Sequence, residues 1–427
     1  MKVTVEPGII SGTIIAPPSK SLTQRALAAA LLHNGTTTIR NAGRSADELA
    51  ALQVIRQLGA TVVEHQQDNG LLQFTVTSTG KITNPQTVNC GESGLAARLF
   101  LPITAMGNEK ITVTGTGTLQ QRPMRGIMAG LRSLGVSVES NGELLPFMVR
   151  GPIHPTNLHV DSGGSSQFIS GLLFALAATA TERLTIKVNR PESTPYLDLT
   201  MDVLAHFGKP VRHNRYREFI IDPSNFSHTD IVSFDVEADW SGASCLLVAG
   251  AIAGSITIPN LSAGSLQADR RLLEVFEKAG VPVEINENGI TVRKCKPLAF
   301  DFNATHCPDL FPALAALAAV CDGESNIKGV HRLFNKESNR VESITEMLWR
   351  FGVHFSCEDD ILTIEGQNTM ERAYIDGYKD HRIVMAAAVC ALKAKGTVTI
   401  THSDAVNKSY PDFFIDMGRC GMRWTHI

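Results

Sequence analysis

ALQVIRQLGATVV, residues 51–63, is a short amphipathic helix that closes on a glycine and runs into a β-like stretch. The phrase returns as IMAGLRSLGVSVE (127–139), TMDVLAHFGKPVR (200–212), LLEVFEKAGVPVE (272–284), ITEMLWRFGVHFS (344–356) and FIDMGRCGMRWT (414–425). The closing glycines, Gly59, Gly135, Gly208, Gly280, Gly352 and Gly421, stand 76, 73, 72, 72 and 69 residues apart. Six units of about seventy residues therefore fill the 427 positions almost completely. A period this long lies beyond the solenoid range, so each unit reads as a small folded subdomain.

Working outward, each unit carries an earlier and more apolar helix. These are SLTQRALAAALLHNG (21–35), ESGLAARLFLPITAMG (92–107), SSQFISGLLFALAATA (165–180), WSGASCLLVAGAIAG (240–254), DLFPALAALAAVCDG (309–323) and DHRIVMAAAVCALKAKG (380–396). Helices this apolar belong inside a core. Most end at Gly, which reads as a C-cap, and a β-like run follows. The unit is therefore buried helix, strand, loop, amphipathic helix, strand and hairpin, an α/β pattern. Six units suggest two groups of three, each packing its buried helices together. The irregular stretch DPSNFSHTDIVSFDV (222–236), halfway along, marks the expected domain crossing.

With 43% hydrophobic and 19% charged residues the composition is that of an ordinary globular protein, and the formal charge of −3 argues against a general nucleic-acid binder. Eight cysteines lie scattered without a CxxC pair, which predicts buried free thiols. No signal peptide, membrane span or metal motif is expected, and the chain reads as cytoplasmic.

Polar residues gather where helices begin. Lys20, Ser21 and Arg25 open the first buried helix; Glu92, Ser93, Gly94 and Arg98 the second; Ser165, Ser166 and Gln167 the third. Asp239 and Ser241 open the fourth, Asp309 the fifth, and Asp380, His381 and Arg382 the sixth. Arg122, then Ser193 and Tyr196, then Lys336, Glu337 and Arg340, then Lys408 precede amphipathic helices. Ser and Asp in such places are ordinary N-caps and carry no function alone. Cations there oppose the helix dipole unless an anion arrives. Lys20, Arg25, Arg98, Arg122, Arg340, Arg382 and Lys408 recur at matching places, so the helix starts predict a cleft for small polyanions. There is no P-loop or Rossmann fingerprint, and GGSSQ (163–167) is not a nucleophile elbow.

PPSKSLTQRAL (17–27), CGESGLAARL (90–99), QRPM (121–124), SGGSSQF (162–168), STPYLDLT (193–200), KESNR (336–340), YKDHRIVMA (378–386) and NKSYPDFF (407–414) together resemble the 3-phosphoshikimate 1-carboxyvinyltransferase (EPSP synthase) family. The resemblance runs along nearly the whole chain. It implies a two-domain inside-out α/β barrel, each domain three βαβαββ units around buried helices. The domains would be 19–236, and 1–18 with 237–427. It implies transfer of the enolpyruvyl group of phosphoenolpyruvate to the 5-hydroxyl of shikimate 3-phosphate, without metal or cofactor, by a monomer. By the same resemblance Ser165, Ser166, Gln167, Ser193, Tyr196, Arg25 and Ser21 would hold shikimate 3-phosphate. Gly94, Arg122, Arg340, Arg382 and Lys408 would hold phosphoenolpyruvate, with Lys20 between the two. Arg98 and Lys336 complete the candidate substrate contacts. Asp309 would orient the attacking hydroxyl, Glu337 and Lys408 would move protons, and His381 and Asp239 would lie close to the reacting centre.

Some positions depart from the family pattern. Glu92 and Leu95 stand where Asn and Thr are usual, Arg332 for Asn, Asn339 for Asp and Pro18 for Gly. Substrate affinity and the response to glyphosate are the properties these changes are expected to alter. Two other readings stand beside this one. A UDP-N-acetylglucosamine enolpyruvyl transferase would carry Cys or Asp in the loop that here reads TGTLQQRPM (116–124). A non-catalytic relative binding phosphorylated metabolites is opposed by the intact Lys20, Asp309, Glu337, His381 and Lys408.

Overall fold

The computed structural model describes residues 1–67, 70–161 and 165–427. The chain divides into a contiguous unit, Pro18–Val236, and a discontinuous unit, Met1–Pro17 with Glu237–Ile427. The contiguous unit holds helices α1 (Lys20–Leu32), α2 (Ala46–Gln57), α3 (Gly94–Thr104), α4 (Ile127–Ser133), α5 (Ser166–Thr179) and α6 (Thr194–His206). The discontinuous unit holds α7 (Trp240–Ala253), α8 (Leu272–Lys278), α9 (Phe311–Ala318), α10 (Arg340–Arg350), α11 (His381–Ala391) and α12 (Phe413–Arg419).

Odd-numbered helices are the apolar ones and even-numbered helices the amphipathic ones. Every residue of α3, α9 and α11 is buried. α10 instead buries one stripe, Arg340, Ser343, Ile344, Met347 and Leu348, at the spacing of a single helix face. In each unit the three apolar helices pack on one another, and three four-stranded sheets cover them. One sheet shows the plan. Leu158–Asp161 leads through α5 to the parallel strand Leu184–Asn189. Next, α6 leads to the edge strand Val211–Asn214, which turns back as Glu218–Ile221 between itself and Leu184–Asn189. Leu184, Ile186 and Val188 face the core while Lys187 and Asn189 face solvent, the alternation of a half-buried strand. Three sheets complete this βαβαββ plan with strands from elsewhere in their own unit, one of them through Ile10–Thr13, which pairs parallel with Gly254–Ile258. Ile231–Asp235 pairs parallel with Asn34–Ala42. Lys2–Val5 lies between Val398–Thr401 and Trp424–His426.

The six glycines that close the amphipathic helices all have left-handed φ, from 66° at Gly280 to 106° at Gly59. Each forms the same pair of bonds. The Gly59 N–H donates to the Arg56 carbonyl at 3.1 Å, and the Ala60 N–H to the Ile55 carbonyl at 2.9 Å. Matching pairs close the helices at Gly135, Gly208, Gly280, Gly352 and Gly421. This is the Schellman ending, which satisfies two orphan carbonyls and needs a residue that tolerates positive φ. The chain is turned so that an edge strand starts two or three residues later.

Apart from α7, which has Gly254 as its C-cap, the apolar helices do not end on their glycines as the sequence predicts. α1 stops at Leu32, His33 is extended, and Gly35 lies inside the strand Asn34–Ala42. Pairing with Leu72–Thr79 begins at Asn34, so the sheet claims these residues before a cap forms. Likewise, α9 stops at Ala318, short of Gly323, and Asp309 lies in the 3₁₀ turn Pro308–Leu310 ahead of it.

All eight cysteines are free; Cys357, on the fully exposed edge strand His354–Glu358, and the half-buried Cys295 depart from the expected burial. Among the described residues no helix is long and apolar enough to cross a membrane, and no group of three His, Cys, Asp or Glu could hold a metal.

Candidate active site

In the contiguous unit the polar residues gather at the starts of α1, α3, α5 and α6. Lys20 is the first residue of α1, and its ammonium donates to the Asp47 carboxylate in the first turn of α2 at 2.9 Å. Arg25 is fully buried. Its Nε donates to the Thr200 hydroxyl at 2.9 Å, and its terminal nitrogens to the carbonyls of Ser21 at 2.8 Å and Tyr196 at 3.2 Å. All three partners are neutral, and no carboxylate pairs with this guanidinium among the described residues. Burial lowers its pKa to about 10. Thr200 is itself held by the Ser170 hydroxyl at 2.7 Å, so α1, α5 and α6 are joined behind the arginine.

Gly94 opens α3 directly against two guanidiniums. A Cβ there would lie 3.0 Å from terminal nitrogens of both Arg98 and Arg122. Arg98 donates to the Gly94 carbonyl at 3.1 Å and to the Gln167 side-chain oxygen at 3.3 Å, tying the starts of α3 and α5. Ser93 caps α3 and donates to Gln24 of α1 at 2.8 Å. Ser165 caps α5, accepting from the Gln167 N–H at 3.3 Å, and Ser166 is buried. The first three residues of SGGSSQF, 162–164, lie outside the described residues. Ser193, before α6, has φ 51°, and its carbonyl accepts from the Tyr196 N–H at 3.1 Å. Leu95 packs into the apolar core of this unit.

The discontinuous unit gathers carboxylates and cations together. Asp309 accepts from Arg340 at 2.7 Å and from Lys336 and Arg382 at 3.4 Å each. Burial opposes its ionisation, but Arg382, Lys336 and Arg340 outweigh burial and hold it well below the usual carboxylate range. Arg340, fully buried, also donates to Glu337 at 2.7 Å and through Nε to Asp380 at 2.8 Å. Burial lowers the Lys336 pKa to about 8 against the attraction of Asp309. Asp380 and Asp239 are N-caps of α11 and α7, accepting from Arg382 N–H at 3.0 Å and Ser241 N–H at 2.9 Å. His381 is buried, its Nδ1 3.8 Å from Asp380. Lys408, also buried, ends the 3₁₀ turn Ser403–Lys408, which packs on α11.

The shared first-turn position expected for seven cations holds for Lys20, Arg340 and Arg382. Arg25 and Arg98 sit in the second turn and curl back to carbonyls four residues earlier, as helical side chains lean toward the N-terminus. Arg122 instead follows a 3₁₀ turn, and Lys408 ends one. Sequence reasoning missed Asp47, the partner of Lys20. Asp47 stands in a Ser45–Glu48 capping box that was legible as such. It also gave Asp380 no role beyond its helix start, although Asp380 binds Arg340 with both oxygens.

Fold and site together define a two-unit α/β protein with cations gathered at its helix starts. The sequence profile of the EPSP synthase (3-phosphoshikimate 1-carboxyvinyltransferase) family matches residues 5–417. Proteins named 3-phosphoshikimate 1-carboxyvinyltransferase from Clostridium novyi (strain NT) and Clostridium kluyveri are 32% and 34% identical to it, over 98% of this chain and 97% of each of theirs. A solved EPSP synthase from Acinetobacter baumannii shares the fold, with TM-score 0.81 and 22% identity over the full length of both chains. The chain belongs to the EPSP synthase family.

Proposed function

We propose that this protein joins phosphoenolpyruvate to shikimate 3-phosphate. The 5-hydroxyl attacks C2 of phosphoenolpyruvate while a proton goes to its methylene carbon. The tetrahedral adduct then loses phosphate and a proton from the new methyl group, leaving the enolpyruvyl ether. Family membership supports this reaction, and one observation of the site carries it: Arg25 is a fully buried guanidinium whose partners are all neutral. Such a charge is costly unless an anion completes it, and the 3-phosphate is that anion.

On this reading Arg25, Ser21, Ser165, Ser166, Gln167, Ser193 and Tyr196 hold shikimate 3-phosphate, most of the contiguous unit's share of the work. Gly94, Arg98, Arg122, Arg382 and Lys408 hold phosphoenolpyruvate, with Lys20 and Lys336 adding charge. Arg340 has one N–H left for it, since four of its five donate to carboxylates. A carboxylate held as low as Asp309 is a weak base and a good hydrogen-bond acceptor, so Asp309 orients the hydroxyl. Glu337 and Lys408 then carry the protons. His381 and Asp239 shape the surroundings of the reacting carbon. The protein works in the cytoplasm as a monomer and needs no metal or cofactor.

Phosphate release from phosphoenolpyruvate tests this, with shikimate 3-phosphate or UDP-N-acetylglucosamine as acceptor. Turnover is expected only with the first, and Lys20→Ala and Asp309→Ala should each abolish it with an unchanged circular dichroism spectrum. Turnover with the nucleotide sugar alone would overturn the reading, and full activity in either variant would remove that residue's role.

A further inference from the structure

Asp269 is a carboxyl group that the reaction above leaves without a task. It sits in the 3₁₀ turn Ala268–Arg271 ahead of α8 and is 1% exposed. One oxygen accepts a short hydrogen bond from the Ser241 hydroxyl, in the first turn of α7. Its other oxygen, Oδ1, is buried with no hydrogen-bond partner. The charged and titratable groups around it come from three further elements. These are Asp239 and Cys245 from α7, Cys307 and Asp309 from the turn ahead of α9, and Arg382 from α11. Arg382 also donates to the Ser241 carbonyl at 3.4 Å, and its Nε is buried without a partner. A lone carboxyl oxygen and a lone guanidinium N–H thus lie in one buried cluster, beside an Asp309 that is always ionised.

We propose that Asp269 is a positioning residue that links anion binding at Arg382 to a single buried proton. When Asp269 is ionised, its charge draws on Arg382 in competition with an incoming phosphate or carboxylate. When it is neutral, Arg382 is free to face the ligand. Binding an anion therefore favours the neutral form and takes up a proton, and anion affinity falls as pH rises through the titration of Asp269. Burial, then the Asp309 charge, raise the pKa of this carboxyl to about 7, which places the transition near neutrality. The Ser241 hydroxyl acts the other way, stabilising the ionised form.

The inference rests on reading Arg382 as a phosphoenolpyruvate contact. KM and kcat for phosphoenolpyruvate, measured from pH 5.5 to 7.5, are the test; Lys336 titrates higher, near 8. In the unaltered protein KM should rise about two- to fourfold between pH 5.5 and 7.5, most of it above pH 6.5, with a smaller change in kcat. Asp269→Asn should flatten that rise, and Ser241→Ala should move it to higher pH. The ligand's own phosphate ionisation is common to all three proteins and cancels in the comparison. Calorimetric binding of phosphoenolpyruvate should show less proton uptake in Asp269→Asn, a reading that stands even if no acceptor is turned over. Superimposable KM profiles for the unaltered protein and Ser241→Ala, or equal proton uptake with and without Asp269, would overturn the inference. Absent turnover with linked proton uptake would instead count against the enzymatic reading alone.

Discussion

Arg340 gives its own protein four hydrogen bonds to three carboxylates, Asp309, Glu337 and Asp380, with no exposed surface. Burial lowers its pKa, but Asp380, Glu337 and Asp309 reverse this and hold it well above the usual value. Its main duty is therefore to let three acids share one buried place. Arg340→Met should cost about 3–5 kcal/mol in urea unfolding, the penalty for leaving buried charges uncompensated. A loss under about 1 kcal/mol would mean that the carboxylates find other partners. The positions of Arg25, Lys20 and Arg382 were legible in the sequence, because cations near helix starts stand out against the dipole rule. Their partners were not. Asp47 and Thr200 reach Lys20 and Arg25 from other helices, and only the packing of α1 on α2 and α6 decides which side chain meets which cation.

Elements were read most securely where a local interaction closes on itself. The six amphipathic helices end where the glycines said they would, because the Schellman bonds involve only residues within five positions of each other. The apolar helices were read less well at their ends, since where α1 gives way to a strand depends on Leu72–Thr79, a distant partner. Two glycines separate local from tertiary cost. A Cβ at Gly280 would meet nothing within 4 Å, so Gly280→Ala should lose only the left-handed strain, about 1–2 kcal/mol. A Cβ at Gly208 would drive into the Ser227 carbonyl oxygen, and the Ser227 N–H donates to the Gly208 carbonyl at 2.8 Å. Gly208→Ala should therefore cost about 1–3 kcal/mol more than Gly280→Ala in chemical denaturation. Equal losses would show that the segment around Ser227 yields freely.

At the scale of the whole molecule, the two units differ in how the chain closes them. Everything the contiguous unit needs lies between Pro18 and Val236, including Ile231–Asp235, which finishes its first sheet and brings Asp235 to Arg40 at 2.5 Å. The discontinuous unit depends on Met1–Pro17 for two strands. Ile10–Thr13 is an edge strand beside Gly254–Ile258, but Lys2–Val5 is internal, with partners on both sides. Val3 and Val5 are wholly buried, so removing this strand takes two core side chains and leaves two neighbours with unpaired backbone groups. A fragment 18–236 should thus fold alone with a cooperative thermal transition. A fragment 237–427 should not, until a peptide of residues 1–17 is added, when the near-ultraviolet signal of Trp424, beside the missing strand, should return. The repeat made six units legible but hid this dependence, because a four-residue strand carries no periodicity that names its partner. Cooperative folding of 237–427 without the peptide would show that the buried helices α7, α9 and α11 hold the unit together unaided. In that case the sheet with the borrowed strand would be a cover on the core and not a condition for it.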